Sequence, residues 1–385
     1  MAINKTDKVL NVPTLRFPGF TDKWEKKRVG DIAKLSKGAG ISKDDRSISG
    51  VPCILYGELY TTYNSEIINK VVSKTELPLD NLVQSEGNDV IIPSSGESAI
   101  DISTARCITT SGILLGGDLN IIRLKNDDGR FLSYQLNGVR KLDIAKVAQG
   151  VSVVHLYGDA LKSISVSLPH IDEQKKIADF LSLLDERIAL QSKLIEDLKK
   201  LKSAIRAAIF QQLKKTANQM RAGAELLEYE QPTKYLVSDT EYSQDKSLTP
   251  VLTANKSLIL GYTDEKFGIY KKGDCIILDD FTLDLKYIKF PFKVKSSAIK
   301  ILRAKNGVSL RYMYEYLNWL ELTPLGHNRH YISMIEPMQF YCPEVQVQEK
   351  IATTLEKADE KIQSESRLFD VLTRQKYFLL SAMFI

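Results

Sequence analysis

An internal repeat is the feature that most constrains this chain. Residues 169–210 align without gaps on residues 343–384 at a constant offset of 174. Segments of comparable length precede the two copies, so the chain alternates a globular unit, a repeat, a second globular unit and a second repeat. The identical pairs include Pro169/Pro343, Gln174/Gln348, Ala178/Ala352, Asp185/Asp359, Glu186/Glu360, Lys202/Lys376 and Phe210/Phe384.

Both copies of the repeat are predicted to be helical. No Gly or Pro lies between Pro169 and Gly223, or after Pro343, so nothing interrupts either helix. Apolar residues recur at spacings of three and four, which is the heptad pattern of a coiled coil. These positions form what we call the helix seam: Ile177, Leu181, Leu184, Ile188, Ile195, Leu198 and Ile205 in the first helix, and Ile351, Leu355, Ala358, Ile362, Phe369, Leu372 and Leu379 in the second.

Polar residues interrupt the seam at the same two places in each helix, at Gln191 and Lys202 in the first and at Glu365 and Lys376 in the second. A narrow stripe on a helix roughly 63 Å long cannot be buried inside one domain along its whole length. The predicted partner is therefore the other copy, in an intramolecular antiparallel pair. Two alternatives stay open: each helix packs on its own globular unit, or the seam forms a homodimer.

The globular units are predicted to be mixed α/β with many short strands. Both contain two apolar strand-like segments followed by a short helical segment; the segments are 90–93, 119–124 and 131–137 in the first unit, and 275–278, 298–302 and 312–318 in the second. The fold class is thus α+β, with two mixed α/β globular domains of similar scaffold separated by two long helices that form the coiled coil. The predicted boundaries are 1–168 with an N-terminal arm, 169–222 for the central helix, 223–342 for the second domain and 343–385 for the C-terminal helix.

Composition excludes several classes of protein. With 43% hydrophobic and 26% charged residues over 385 positions, the chain is long enough for two packed cores and is not disordered or collagenous. Its longest near-apolar stretch, 377–385, is far shorter than the roughly 18 residues that cross a bilayer. We therefore expect a cytoplasmic protein without membrane contact. The four cysteines form no Cys-x-x-Cys pair, so buried free thiols are predicted.

Positive charge is concentrated in one segment, although the net charge is only +5. Residues 285–314 contain eight basic residues and no acidic one, and the aromatic residues Tyr287, Phe290 and Phe292 lie among the first lysines. This pattern is typical of contact with a polyanion, but lysines that protect an exposed strand edge would produce the same pattern. Both interpretations stay open at this point.

Catalytic signatures are missing. The sequence contains no phosphate-binding Gly-x-x-x-x-Gly-Lys-Ser/Thr motif, no Gly-x-Gly-x-x-Gly and no Asp/Asn-Pro-Pro-aromatic motif of amino-group methyltransferases. His327 and His330 have no Cys or carboxylate close in sequence that would complete a tetrahedral metal site. The chain is therefore predicted to be a binding or scaffolding protein without catalytic residues or a metal site.

Three segments carry a resemblance to a known family. They are the opening Leu-Arg-Phe-Pro-Gly-Phe-Thr-Asp-Lys-Trp at 15–24 and the two helix starts, 168–178 and 342–352. In these segments and in the order of its units, the chain resembles the specificity subunit of type I restriction-modification systems. One departure is Val347, which stands where the first helix start has Glu173 and removes an acidic residue from the first turn.

The resemblance implies a function and a set of partners. Family members carry two target recognition domains, each of which recognises one half of a split site in double-stranded DNA, and the two helices fix the spacing between the halves. They bind two methyltransferase subunits and, for cleavage, restriction/translocase subunits. No cofactor is expected in this chain, since S-adenosylmethionine, ATP and magnesium would be bound by the partner subunits.

Candidate DNA-binding residues follow from charge and from hydrogen-bonding reach. Lysine and arginine are suited to phosphate contacts, whereas loop Asn, Gln, Ser, His and Arg can reach base edges. The phosphate candidates are Lys37, Lys43, Arg46 and Arg106 in the first unit and Lys286, Lys289, Lys293 and Lys295 in the second. The base-contact candidates are Ser94, Ser95, Gln149, Asn255, His327 and Arg329.

A second hypothesis comes from a different class. The chain would be a homodimeric coiled-coil adaptor that binds proteins and has no DNA sequence specificity. The basic segment would then protect a strand edge.

Overall fold

A computed structural model describes residues 11–216, 219–253, 258–326 and 328–385. The chain forms two compact units. Unit 1 comprises the described residues of Met1–Ser192 together with Arg367–Ile385, and unit 2 comprises those of Lys193–Ser366. Both limits between the units fall inside a long helix, so each unit contains part of both helices.

Unit 1 combines short strands with short helices. Its strands are β1 (Glu25–Arg28), β2 (Ala33–Lys37), β3 (Val51–Ile54), β4 (Ile67–Ile68), β5 (Ser73–Thr75), β6 (Val83–Gln84), β7 (Asp89–Pro93), β8 (Ser95–Gly96), β9 (Arg106–Ile108), β10 (Leu114–Leu115), β11 (Leu119–Leu124), β12 (Val154–His155) and β13 (Ser165–Leu168). Its short helices are α1 (Val29–Ile32), α2 (Glu58–Thr61), α3 (Ala99–Ile102), α4 (Gly129–Asn137), α5 (Lys141–Val147) and α6 (Gly158–Ser163), with a 3-10 turn at Lys43–Asp45.

A five-stranded sheet organises unit 1, in the order β2-β11-β7-β9-β4. Strand β7 is central and buried on both faces, because its apolar run Val90-Ile91-Ile92 leaves no polar face for solvent. A four-stranded sheet in the order β5-β3-β10-β6 accompanies it, and two-stranded sheets pair β1 with β13 and β8 with β12. The largest apolar cluster of unit 1 includes Trp24, Phe131 and Phe384, whose rings contact one another.

The long helices are α7 (Ile171–Thr216) and α10 (Val345–Ala382). Unit 2 begins within α7, at Lys193, and ends within α10, at Ser366. Its strands are β14 (Met220–Ala222), β15 (Leu227–Glu230), β16 (Thr249–Leu252), β17 (Ile259–Thr263), β18 (Cys275–Asp279), β19 (Leu285–Ile288), β20 (Lys293–Val294), β21 (Ile299–Ala304) and β22 (Gln339–Tyr341). Its short helices are α8 (Gly223–Leu226), α9 (Leu310–Leu320), a 3-10 turn at Pro232–Tyr235 and a π-helix at Tyr331–Ile335.

Unit 2 repeats the central plan of unit 1. A four-stranded sheet in the order β15-β21-β18-β19 has the buried strand β18 paired antiparallel with β21, as β7 pairs with β11. A three-stranded sheet in the order β17-β16-β20 accompanies it, and β14 pairs with β22. Helix α9 follows β21 as α4 follows β11. The strands and short helices predicted for the two units are confirmed.

The two long helices pack against each other in both units. In unit 1 the first part of α7 packs on the last part of α10, and Lys376 forms an ion pair of 2.6 Å with Asp185. In unit 2 the last part of α7 packs on the first part of α10, and Lys202 forms the equivalent pair of 2.7 Å with Asp359. The helices are therefore antiparallel, and every predicted seam residue is buried or half-buried. The predicted fold class is confirmed.

The helix ends also pack on the globular part of each unit. Ile177 and Leu181 belong to the same apolar cluster as Trp24. Gln174 receives the N–H of Asp128, the residue that caps α4, at 2.9 Å, and Gln348 receives that of Ser309, the residue that caps α9, also at 2.9 Å. The repeated glutamine thus fixes the same short helix to the long helix in each unit.

The first long helix is shorter than the segment 169–222 predicted for it. It ends at Thr216, and Met220–Ala222 forms a strand paired with Gln339–Tyr341. Backbone pairing therefore replaces the last turn that the absence of Gly and Pro had suggested.

The cysteines are buried and free, as predicted. Burial raises the pKa of the Cys53 thiol to about 11, so this thiol stays protonated at neutral pH. Among the described residues, no helix is long and apolar enough to span a bilayer.

Candidate nucleic-acid interface

A cleft of about 860 Å³ in unit 1 contains two of the predicted phosphate-binding residues, Lys43 and Arg46. Polar side chains and backbone share its wall. The other lining residues are Gly40, Ile41, Ser42, Asp44, Asp45, Leu55, Tyr56, Gly57, Glu58, Thr61, Thr62, Gly117 and Asp118. Cationic, anionic and hydroxyl groups thus meet in one concave surface, which can offer both donors and acceptors to a ligand.

Local backbone interactions hold the walls of this cleft. The N–H and the hydroxyl of Ser42 both donate to the Asp45 carboxylate at 2.7 Å, which closes the 3-10 turn that carries Lys43. A Cβ atom on Gly116 would lie 2.9 Å from the Ile41 carbonyl oxygen, so this close approach of two backbone segments requires glycine.

The charge of Arg46 is partly balanced inside the cleft. Its guanidinium lies 3.7 Å from the carboxylate of Glu58, which is buried and receives the N–H of Leu55 at 3.0 Å. Lys43 is exposed, and so is Lys37 at the end of β2. Lys43 is therefore the cation of the cleft that is best placed to meet a phosphate group.

Three other candidates in unit 1 are not on the surface. Arg106 is buried and donates to the carbonyl oxygens of Leu59 at 3.1 Å and Tyr63 at 2.7 Å, so it holds a loop in place. Burial lowers the pKa of the Arg106 guanidinium. Ser94 and Ser95 are also buried at the end of β7. None of the three side chains faces solvent, so the structure does not support their predicted DNA contacts.

The basic segment of unit 2 is largely neutralised within the unit. Lys289 pairs with Glu356, Lys300 with Asp280, Arg303 with Glu228, and Arg311 with Glu315 and Asp359. Lys286 lies half-buried on β19, which is an edge strand of its sheet. Most of the basic residues named here are therefore held in ion pairs within the unit, and Lys286 is the one of them that lies on the edge strand.

The position of Lys293 does not fit its predicted role as a phosphate contact. Its side chain is buried, forms an ion pair with Glu265 and donates to the Phe267 carbonyl oxygen at 3.0 Å. This lysine cannot reach a phosphate because it is used inside the unit. Lys295, which follows the strand, remains exposed.

The base-contact candidates have different positions. Gln149 and Arg329 are exposed on loops. Asn255 and His327 lie outside the described residues. His330, next to Arg329, is buried: its Nδ1 lies 3.1 Å from the Asp280 carbonyl oxygen, and its Nε2 receives the N–H of Leu325 at 2.7 Å.

Sequence reasoning missed several residues of these surfaces. Tyr56, Thr61 and Thr62 line the cleft of unit 1, and His155, at the end of β12, stacks on Tyr157 with 6.2 Å between ring centroids. No motif marks these residues, and only the fold brings them to the surface. Among the described residues, no group of three or more His, Cys, Asp or Glu side chains is arranged to hold a metal ion.

Glu173, the acid that Val347 replaces in the second repeat, is buried and forms an ion pair of 2.6 Å with Arg16. It thereby ties the N-terminal segment to α7 within unit 1. Val347 is exposed instead. The two helix starts therefore differ in their surroundings as well as in sequence.

Comparison with known proteins shows what this chain is similar to. Residues 21–200 match the family model described as type I restriction modification DNA specificity domain. The EcoR124I/EcoR124II specificity subunit of Escherichia coli is 48% identical over 115 residues, which cover 28% of each chain. The MjaVIII specificity subunit of Methanocaldococcus jannaschii is 28% identical over 214 residues, covering 54% of this chain and 46% of that protein. The matches thus span less than half of each curated relative.

Solved structures show a similar fold over nearly the whole chain. The type I restriction-modification S subunit from M. genitalium superimposes with a TM-score of 0.64 at 18% identity, covering 97% of this chain and 99% of that one. A structure from work on assembly of the type I R-M system gives a TM-score of 0.55 at 14% identity, with 95% and 98% covered. The family resemblance found in the sequence is confirmed as a similarity: residues 21–200 match the specificity-domain model, and the specificity subunits named above are similar to parts of this chain.

Proposed function

We propose that this chain is the DNA sequence-specificity subunit of a type I restriction-modification complex, and that each unit recognises one half of a bipartite DNA site. The observation that carries this role is the repeated plan of the two units. Both have a buried central strand, an antiparallel neighbour and a short helix fixed by a glutamine, Gln174 or Gln348. The residues around this plan differ, as expected when two similar scaffolds bind different half-sites.

The long helices are suited to fixing the distance between the half-sites. Each is continuous, over Ile171–Thr216 and Val345–Ala382, and each contributes to the core of both units. A continuous helix with a buried apolar stripe resists bending and changes of length more than a loop does. The helix pair therefore supports a spacer of fixed length.

The same helices offer a surface on which methyltransferase subunits can dock. In unit 1, Leu183 of α7 is 64% exposed and Phe378 of α10 is 63% exposed, although their seam neighbours are buried. Leu190, Val371 and Tyr377 are exposed as well. Apolar side chains left in solvent on a regular helix are typical of interfaces with partner chains.

We assign methyl transfer and DNA cleavage to the partner subunits. Two methyltransferase subunits would bind S-adenosylmethionine and transfer the methyl group, and restriction/translocase subunits would use ATP and magnesium to cleave DNA. This chain would bind no cofactor and catalyse no step; it would select the double-stranded DNA site, in the cytoplasm.

A genome-wide map of methylated adenines tests the role most directly. With the gene intact, we expect a split motif that is methylated throughout the genome. Deleting the gene should abolish methylation of that motif, and restoring the gene on a plasmid should recover it. If no motif depended on the gene, while the chain purified as a homodimer that binds no methyltransferase subunit, the adaptor hypothesis would be favoured.

Phosphate binding in the cleft of unit 1 gives a second prediction. Replacing Lys43 by alanine in the assembled methyltransferase should weaken binding to DNA that contains the motif, because one phosphate contact is lost. The slope of log affinity against log salt concentration should fall in magnitude by about one. Binding titrations at several salt concentrations measure both quantities.

Lys125→Ala is the matched control for this experiment. Lys125 is also an exposed lysine of unit 1, but it follows the opposite end of β11 from Asp118 and the cleft. Its substitution should leave affinity and salt slope unchanged. Equal effects of the two substitutions would contradict a phosphate contact at the cleft.

A further inference from the structure

Residues 149–155 of unit 1 form a loop that lies beside the end of the central strand β7. After β7, the N–H of Ser94 donates to the Asp118 carbonyl oxygen at 2.7 Å, and the Ser94 carbonyl oxygen receives the N–H of Leu156 at 2.9 Å. The loop before Leu156 is closed by two hydrogen bonds between Gln149 and His155, of 2.9 and 2.7 Å. Gly150, with φ of +120°, makes the turn.

Unit 2 repeats this arrangement with different residues. After β18, the N–H of Asp280 donates to the Ala298 carbonyl oxygen at 2.9 Å, and the Asp280 carbonyl oxygen receives the N–H of His330 at 3.0 Å. His330 is thus the counterpart of Leu156, at the same offset of 174 that relates the helices. By this register, Arg329 in unit 2 occupies the position of His155 in unit 1.

Buried polar groups hold the residue that ends each loop, Leu156 in unit 1 and His330 in unit 2. In unit 2, the Asp280 carboxylate receives the N–H groups of His330 at 3.1 Å and Tyr331 at 2.8 Å, and lies 3.6 Å from the buried Lys300 ammonium. In unit 1, the side-chain amide of Asn120 donates to the Leu156 carbonyl oxygen at 2.9 Å. Such anchors keep the preceding residue, His155 or Arg329, at a fixed place on the surface.

The chemistry of both loops suits contact with base edges. Residues 149–157 and 322–335 contain no acidic residue. Val151 is 96% exposed and Leu325 is 70% exposed, so apolar side chains that can meet thymine methyl groups lie beside polar donors. The exposed donors include Gln149 and His155 in unit 1, and Asn328 and Arg329 in unit 2.

We propose that these two loops are the equivalent base-reading elements of the two units, and that His155 and Arg329 are specificity-determining residues, each for its own half-site. This assignment rests on the proposed function. It goes further by naming the surface of each unit that faces the bases and one residue in each that selects among them. Arginine in such a position is suited to paired hydrogen bonds with the O6 and N7 atoms of guanine.

Single substitutions in the complete methyltransferase complex test the proposal, with the genomic map of methylated adenines as the readout. Arg329→Ala should relax base preference at one position of one half-site by about ten- to a hundredfold, and leave the other half-site unchanged. His155→Ala should relax one position of the other half-site alone. Arg329→Lys should keep DNA affinity but lose much of the discrimination, because lysine lacks the planar fork of arginine.

Lys271→Ala is the control in unit 2, since Lys271 is exposed and precedes the opposite end of β18. It should leave both half-sites unchanged. If the Arg329 and His155 variants gave the wild-type motif with wild-type preference at every position, the proposal would be overturned while the proposed function stood. If the wild-type gene specified no motif, both would fall. An unchanged melting temperature of each variant shows that its fold is kept.

Discussion

Replacing Lys376 by methionine is expected to destabilise unit 1 by about 3–5 kcal/mol, because two buried carboxylates would lose their counter-ion. The ammonium of Lys376 lies 2.5 Å from the Glu66 carboxylate and 2.6 Å from that of Asp185. The Asp185 carboxylate also receives the hydroxyl of Tyr134 at 2.8 Å, so the substitution leaves a fixed, unpaired cluster. Urea unfolding of the full chain, followed by the fluorescence of Trp24 in a Trp319→Phe background, would report on unit 1.

The repeat supplies a matched control. Lys202, the counterpart of Lys376, lies 3.0 Å from Glu315 and 2.7 Å from Asp359. Arg206 and Arg311 also bind Glu315, so two cations remain near it when Lys202 is replaced by methionine. Lys202→Met should therefore destabilise unit 2 less than Lys376→Met destabilises unit 1. Equal losses would show that the remaining arginines do not compensate.

The effect of Lys376→Met should depend on pH. Burial raises the pKa of Glu66, Asp185 raises it further, and Lys376 opposes both. Without Lys376 the pKa rises more, so the folded variant holds a proton that the unfolded chain loses. Stability then falls as the pH increases from the ordinary carboxyl pKa through the raised value. The difference between variant and wild type should shrink when unfolding is measured near pH 5 instead of near pH 8.

Inserting one heptad into each long helix should lengthen the DNA spacer without changing either half-site. The matched insertion points are between Ser192 and Lys193 and between Ser366 and Arg367, where the chain passes between units. Seven helical residues add about 10 Å, or about three base-pair steps at 3.4 Å. They also return the seam to the same face of each helix. The map of methylated adenines would give the new spacer directly.

Two-residue insertions at the same points are the control. They turn the helix by about 200°, which moves the seam away from its partner. Methylation and stability should then be lost, and no lengthened motif should appear. A heptad insertion that altered the half-sites, or left the spacer unchanged, would contradict the role of the helices in spacing.

The helix pair could be predicted because its information is local and repeated. Apolar spacing alone identifies the seam from Ile177 to Ile205 and from Ile351 to Leu379, and the structure confirms it. The interrupting residues Lys202 and Lys376 were also visible. Their carboxylate partners were only half predictable: Asp185 and Asp359 repeat with the helices, whereas Glu66 and Glu315 come from the globular parts at unrelated places in the sequence.

The candidate interface was less predictable, because the exposure of a charged side chain depends on contacts far along the chain. Arg106 binds carbonyl oxygens more than 40 residues away, and Lys293 pairs with an acid 28 residues away. Composition cannot separate such lysines and arginines from exposed ones such as Lys43. The equivalence of His155 and Arg329 was hidden as well, since it rests on backbone hydrogen bonds and not on residue identity.

The division of unit 1 between two distant parts of the sequence has a consequence for biosynthesis. Unit 2 is continuous from Lys193 to Ser366, whereas the core of unit 1 includes Phe384 packed on Trp24 and Phe131. A ribosome has therefore made all of unit 2 before it supplies the residues that complete unit 1. A chain that stops before Arg367 would leave this apolar core uncovered, and exposed cores are recognised by chaperones and proteases. The fold thus makes the intactness of the whole chain a condition for the stability of its first unit.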